Sequence, residues 1–157
     1  MSGEVRETAQ MLQFDVKQDL SYMVARAHRQ LHAQLESVLE IEGLSVEQWR
    51  VLAVLDEKDG CSMGELAELV LMNHPALTKL ADRMVANGLI HRFVDLNDQR
   101  RVLVNNTERG SIFFMRLKGR VAEHNRKLES VIGTSRAAAL RALLDDVFAE
   151  GQEKVQA

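Results

Sequence analysis

Residues 73–107, NHPALTKLADRMVANGLIHRFVDLNDQRRVLVNNT, contain a helical pattern that changes into a strand pattern. Asn73 is suited to cap a helix. Pro75 has no backbone N–H, and it is tolerated in the first turn because an N–H there would have no acceptor within the helix. Apolar residues then recur at three- and four-residue steps, at Leu77, Leu80, Ala81, Met84 and Val85. Gly88 is placed to end the segment, so a helix over 73–87 is predicted.

The strand pattern after this helix predicts a β-hairpin. Residues 89–94 and 101–105 are rich in β-branched and other apolar side chains, and the residues between them, 95–99, are polar. Two such runs around a short polar turn are typical of a hairpin.

Two earlier helix starts carry the Ser-x-x-Glu/Gln pattern of a capping box. Ser45 with Gln48 begins one helix, and Ser62 with Glu65 begins a short helix that extends to about residue 70. Three helices followed by a hairpin, over 45–106, are the plan of a winged helix-turn-helix.

Long amphipathic segments flank this unit. Residues 15–40 predict a helix of about 26 residues and about 39 Å, which Gly43 ends. After Thr107, a candidate cap, helical spacing continues to Ile132, Gly133 breaks it, and a last helix is predicted over 136–150. The first helix is too long for a small domain to cover, which indicates a partner chain.

The predicted fold is therefore mainly α. It is a winged helix-turn-helix with a small β-hairpin wing and long helices at both ends, in a single domain over 15–157. Residues 1–14 lack periodicity and are predicted to form a flexible N-terminal arm.

Composition is consistent with one globular, cytoplasmic domain. The chain has 157 residues, a single cysteine, Cys61, and no signal-peptide pattern or apolar run long enough for a membrane helix. The net charge is −3, yet residues 73–101 hold five cations and three anions. Charge is thus segregated, and the positive segment coincides with the predicted helix and wing, as a DNA-binding face requires.

The outward face of the predicted helix supplies the candidate DNA contacts. Its members are Asn73, His74, Ala76, Thr78, Lys79, Asp82 and Arg83. We expect His74, Thr78 and Lys79 to reach base edges or phosphates in the major groove, which is wide enough for a helix. Arg83, one turn later, is better placed for the DNA backbone, and the helix N-terminus at Asn73 suits a phosphate.

The wing supplies a second set of candidates. Arg100 is expected to enter the minor groove, where the potential is most negative, and Arg101 to contact phosphate or face solvent. Asp98 is expected to brace the turn by pairing with the side chain of Arg100.

Four motifs over 44–110 form a pattern shared with a known family. They are Leu44-Ser45-x2-Gln48-Trp49-x2-Leu52-x2-Leu55, Glu65-Leu66-Ala67, Leu77-Thr78-Lys79-Leu80-x2-Arg83-Met84-x3-Gly88-Leu89-Ile90-x-Arg92 and Asp98-x-Arg100-x3-Val104-x2-Thr107-x2-Gly110. This pattern resembles the MarR family of transcriptional regulators. Asn106 stands where the family usually has leucine.

The resemblance implies a homodimer formed by the first and last helices, 15–43 and 111–157. It implies binding to a pseudo-palindromic double-stranded operator and transcriptional control, here expected to be repression relieved by a small-molecule effector. A two-fold dimer would present recognition helices about 34 Å apart. The alternative is a winged-helix module that binds proteins instead of DNA.

Several residues have both a functional and a structural interpretation. Tyr22, Arg26 and Trp49 are candidates for an effector pocket. Trp49, however, is placed for a hydrophobic staple with Leu44, which favours core packing. Tyr22 and Arg26 are favoured as residues of a solvated or dimer-forming face.

Metal, redox and enzymatic functions are not favoured. His28 and His32 are spaced to share a metal, with His124 as a possible third ligand, and a metal-responsive regulator is an alternative function. Exposed histidines are the commoner outcome, so no metal site is predicted. Cys61 is favoured as a buried residue over a redox sensor. No catalytic or cofactor-binding motif occurs, so neither an enzyme nor a cofactor is expected.

Overall fold

The computed structural model describes residues 15–58 and 60–153, and the predicted arm over 1–14 lies outside them. In chain order the elements are α1 (Leu20–Leu39), a 3-10 turn (Glu40–Glu42), α2 (Val46–Glu57), β1 (Cys61–Ser62), α3 (Met63–Leu69), α4 (His74–Ala86), β2 (Ile90–Val94), β3 (Val102–Asn106), α5 (Glu108–Ile132) and α6 (Thr134–Glu153). This order confirms the mainly α winged helix-turn-helix. We call residues 44–110 the central lobe.

Helix α1 begins later than the sequence predicts. The predicted start at residue 15 is wrong because the Asp19 side chain accepts the backbone N–H of Tyr22 and caps the helix there. The predicted end is confirmed, since Gly43 has a φ of 68° and follows the 3-10 turn. Glycine adopts that left-handed conformation without steric cost.

Both predicted capping boxes are present in the central lobe. The Ser45 hydroxyl accepts the backbone N–H of Gln48 at 3.2 Å, and the Gln48 side chain accepts that of Ser45 at 2.9 Å. Ser62 and Glu65 make the same reciprocal pair at the start of α3. Four backbone donors that lack helical partners are thereby satisfied.

The wing is part of a three-stranded antiparallel sheet of order β1-β3-β2. The predicted hairpin is confirmed, with Arg92 opposite Val104 in the register. Strand β1, in which Cys61 pairs with Val104, was not predicted from the sequence. Two residues are too few to show a strand pattern, and only the return of β3 to this position creates the pairing.

The core lies inside the central lobe and against the first half of α5. Leu52, Leu77, Met84 and Leu117 are fully buried there. Gly110 lets α5 approach the wing, because a Cβ at this position would stand 2.0 Å from the Leu89 carbonyl oxygen. This close approach fixes α5 relative to the helix-turn-helix.

The terminal helices are more exposed. Helix α6 extends beyond its predicted limits of 136 and 150, since Thr134 follows the break at Gly133 directly and the helix continues to Glu153. Leu20, Leu143 and Phe148 of α1 and α6 are each more than 60% exposed. No helix in the described part of the chain is long and apolar enough to cross a membrane.

Candidate nucleic-acid interface

Helix α4 presents a polar face to solvent. His74, Thr78, Lys79, Asp82 and Arg83 are exposed, whereas Ala76 is half-buried. The opposite stripe of Leu77, Leu80, Ala81 and Met84 is buried in the core, as its spacing predicts. The buried stripe therefore fixes which face of α4 is free to meet a ligand.

The first turn of α4 is capped as predicted. The Asn73 side chain accepts the backbone N–H of Ala76 at 2.9 Å. The Thr78 hydroxyl donates to the carbonyl oxygen of His74 at 2.9 Å, so its oxygen remains an acceptor for a group outside the helix. This bond holds the Thr78 side chain against the helix.

Asp82, the anion of the exposed face, is paired with the wing. Its Oδ1 lies 2.6 Å from an Nη of Arg92 on β2. The contact neutralises the carboxylate and ties α4 to the sheet. Lys79 and Arg83 consequently dominate the charge of the face.

The wing turn differs from the prediction at Asp98. Its carboxylate accepts the backbone N–H of Arg100 at 3.0 Å, and its carbonyl oxygen accepts the N–H of Arg101 at 2.9 Å. Asp98 therefore braces the turn through the backbone, and the predicted pairing with the Arg100 side chain is wrong. Within the described residues, the guanidinium of Arg100 has no carboxylate partner within 4.0 Å.

Arg101 is exposed to solvent, and its guanidinium faces two carboxylates. Its guanidinium lies 3.6 Å from Glu65 of α3 and 3.8 Å from Asp95 of the wing. This contact was not predicted from the sequence, because Glu65 was assigned only to its capping box. Neighbouring arginines thus have different surroundings.

The three residues predicted for an effector pocket have different surroundings within one chain. Trp49 is buried and stacks on Phe114 of α5, with ring centroids 4.9 Å apart. Tyr22 and Arg26 lie on the exposed first turns of α1. Because α1 rises about 1.5 Å per residue, Tyr22 stands about 15 Å from His32, the α1 residue that reaches Glu47 of α2.

An open groove between α1 and α5 was not predicted. Val38 of α1 and Ile41 of the 3-10 turn form its apolar side, and Gly119, Arg120, Glu123, His124 and Lys127 of α5 line the other. A Cβ at Gly119 would meet nothing within 4 Å, so the glycine leaves this space open. The signal in the sequence was a glycine inside a helix followed by cations at helical spacing.

Cys61 and the histidine pair occupy structural positions. Cys61 is 1% exposed, and burial raises the pKa of its thiol, which matches the prediction of a buried cysteine. The rings of His28 and His32 lie 5.6 Å apart, and His32 Nε2 is 3.8 Å from Glu47. Among the residues that the structure describes, no three His, Cys, Asp or Glu side chains are arranged to hold a metal ion.

Comparisons with known proteins agree with this architecture. The MarR family model matches residues 44–102. The Homoprotocatechuate degradative operon repressor of Escherichia coli is 24% identical over 135 residues, which cover 86% of this chain and 91% of that protein. Two solved structures are similar over most of their length.

The first structure is the MarR family transcriptional regulator SPO1453 from Silicibacter pomeroyi DSS-3. It is 32% identical with a TM-score of 0.74, over 85% of this chain and 98% of that one. The second is NadR in complex with 4-hydroxyphenylacetate, 26% identical with a TM-score of 0.72, over 82% and 92%. The matched helix-turn-helix and wing, together with the 32% identity over nearly all of a family member, establish that this chain belongs to the MarR family.

Proposed function

We propose that this chain is a transcriptional repressor that binds a specific sequence in double-stranded DNA. The carrying observation is the exposed face of α4, whose one anion, Asp82, is neutralised by Arg92. A helix with such a face fits the major groove. The relatives are regulators, and this chain is proposed to act by binding rather than by catalysis.

Each exposed residue has a proposed role that follows from its place on the helix. His74, Thr78 and Lys79 face base edges from the N-terminal half of α4, and Asn73 presents the helix N-terminus to a phosphate. Arg83 stands one turn later and anchors the DNA backbone. Together they position the helix and determine which bases it recognises.

The wing is proposed to contact the adjacent minor groove through Arg100. Its side chain is exposed, and Asp98 holds the surrounding turn through two backbone hydrogen bonds. A cation on an ordered turn is suited to the negative potential of a narrow minor groove.

The active form is proposed to be a homodimer made by α1, α5 and α6. Leu20, Leu143 and Phe148 leave apolar surface on the terminal helices that a second copy can cover. A two-fold dimer binds a pseudo-palindromic operator, with half-sites about 34 Å apart.

The effector is proposed to be a small aromatic carboxylate bound in the α1–α5 groove. Val38 and Ile41 suit an aromatic ring, and Arg120 and His124 suit a carboxylate, whereas Lys127 lies 3.8 Å from Glu123, an anion that also lines the groove. The structure of the relative NadR contains 4-hydroxyphenylacetate, a compound of this class.

Selection from a pool of random duplex DNA, followed by a salt titration, tests the proposed function. We expect a two-fold symmetric motif to be enriched and its affinity to fall steeply with salt as phosphate counterions are released. Lys79→Ala should weaken this binding, whereas Lys118→Ala, on α5 and paired with Asp56, should not. Recovery of no motif would refute sequence-specific binding.

The effector proposal is tested with 4-hydroxyphenylacetate as the probe. It should release the selected DNA, and Arg120→Gln should raise the concentration required, while Lys118→Gln serves as the matched control on another face of α5. If the same concentration of the probe released DNA from wild type and from Arg120→Gln, the groove would be excluded as the effector site.

A further inference from the structure

Arg101 lies between two carboxylates at the base of the wing turn. Its Nη atoms are 3.6 Å from Glu65 Oε2 and 3.8 Å from Asp95 Oδ2. Two negative charges therefore face one positive charge. A DNA phosphate is also an anion, so it would compete with these carboxylates for the same guanidinium.

One carboxylate oxygen of Glu65 contacts both Ser62 at the start of α3 and Arg101 of the wing. Oε2 accepts the backbone N–H of Ser62 at 3.0 Å and the Ser62 hydroxyl at 2.7 Å, and it also faces Arg101. The Ser62 hydrogen bonds, with a smaller contribution from Arg101, hold the pKa of Glu65 below its usual range. The carboxylate is thus charged at neutral pH, and it joins the start of α3 to the wing.

We propose that Glu65 is a positioning residue. In the free protein Glu65 and Asp95 pair with the Arg101 guanidinium, which pairs with a DNA phosphate in the complex. We call Glu65, Asp95 and Arg101 the wing clamp. The clamp docks the wing on α3 and withholds one of the two arginines beside the wing turn from DNA, while Arg100 stays available. This inference rests on the proposed binding of DNA by α4 and the wing.

The strength of the clamp is suited to this exchange. The side chains of Arg101 and Glu65 are 50% and 52% exposed, that of Asp95 is 14% exposed, and both separations exceed ordinary hydrogen-bond lengths, so the Arg101–Glu65 pair is the exposed one. Ion pairs between such exposed groups change an equilibrium constant by about two- to five-fold. A phosphate can therefore replace the carboxylates without unfolding the turn.

The central test is Glu65→Gln, which removes the charge and keeps the cap. Gln48 shows that glutamine fills the same position, because its side chain accepts the Ser45 N–H at the start of α2. With the selected operator, we expect about two- to five-fold tighter binding. The slope of log affinity against log salt should become steeper by up to about 0.9, as Arg101 reaches a phosphate.

Two controls distinguish the effect of losing the clamp from the general effect on DNA binding of removing a negative charge. Glu68→Gln removes an exposed charge from the same helix, at a residue that makes no ion pair with Arg101 within 4.0 Å in the described part of the chain, and Glu65→Gln is repeated in an Arg101→Gln background. The proposal requires that the gain disappear in that background. An equal gain in both backgrounds, an unchanged salt slope or weaker binding by Glu65→Gln would each overturn it.

Asp95→Asn provides an independent route if Glu65→Gln does not fold. It keeps the oxygen that accepts the Asn97 N–H and should produce the same direction of change. Wild-type protein that binds no duplex would refute the proposed function. Wild-type binding without coupling between position 101 and Glu65 or Asp95 would refute the clamp alone.

Discussion

The central lobe and the terminal helices differ in how far their apolar side chains are buried. Leu52, Leu77 and Met84 of the lobe have no exposed surface within this single chain. Leu143 and Phe148 of α6 are each 63% exposed, although they belong to a helical pattern of apolar residues at 140, 143, 144, 147 and 148. An apolar stripe thus shows that a helix has a face to bury, and the tertiary structure shows whether the same chain buries it.

This difference assigns the two regions separate tasks. The lobe completes its own core, so it can hold α4 and the wing rigidly against each other. The terminal helices leave apolar surface unburied, which is the basis for the proposed homodimer.

The largest effect is expected from Leu52→Ala in the lobe. Removing this fully buried side chain should lower the free energy of unfolding by about 2–5 kcal/mol, since it loses transfer energy and leaves a cavity. Urea denaturation measures the change. Leu143→Ala is the comparison, and its cost should depend on protein concentration because it acts through association. If the cost of Leu143→Ala were the same at all protein concentrations, the contrast between the lobe and α6 would be refuted.

The double variant Leu143→Glu with Phe148→Glu should disrupt the dimer. Placing carboxylates in an apolar interface should raise the dissociation constant on the order of 100-fold. Light scattering over a concentration series measures it. Leu71→Glu is the matched control, because Leu71 is 82% exposed but lies in the lobe. A double variant that stays as dimeric as this control would exclude the α6 interface.

A smaller effect is expected from Ser62→Ala, which removes the cap of α3. The free energy of unfolding should fall by about 1 kcal/mol, while Ser62→Thr keeps the hydroxyl and most of the stability. Thermal melts of the two variants provide the test. Asp19→Ala removes the corresponding cap from exposed α1 and should cost less. A larger loss from Asp19→Ala would show that the α1 end contributes more than its exposure indicates.

The smallest effect, a gain, is expected from Leu71→Gly in the turn between α3 and α4. Leu71 has a φ of 59°, which is unfavourable for a residue with a Cβ. Glycine should raise the free energy of unfolding by about 0.5–1 kcal/mol, because the strain relieved outweighs the added chain entropy. Leu69→Gly, inside α3, should instead destabilise. If both variants were less stable than the wild type, the proposed backbone strain at Leu71 would be refuted.

Local features were predictable from the sequence. The caps at Ser45, Ser62, Asn73 and Thr107 were identified because each joins atoms only three residues apart. The hairpin and the exposed face of α4 followed from periods of two and 3.6 residues. The start of α1 was misplaced because Asp19 was not recognised as its cap, although that too is a local contact.

The partners of the charged wing residues were decided only by the tertiary structure. Asp82 meets Arg92, and Arg101 meets Glu65, because the sheet returns the wing to α3 and α4. The same return creates the pairing of Cys61 with Val104, and the packing of α5 places Phe114 on Trp49. The sequence by itself determined the capped helix starts and the hairpin, since those signals lie within a few residues. Contacts between distant residues depend on how the elements pack, which no local pattern encodes.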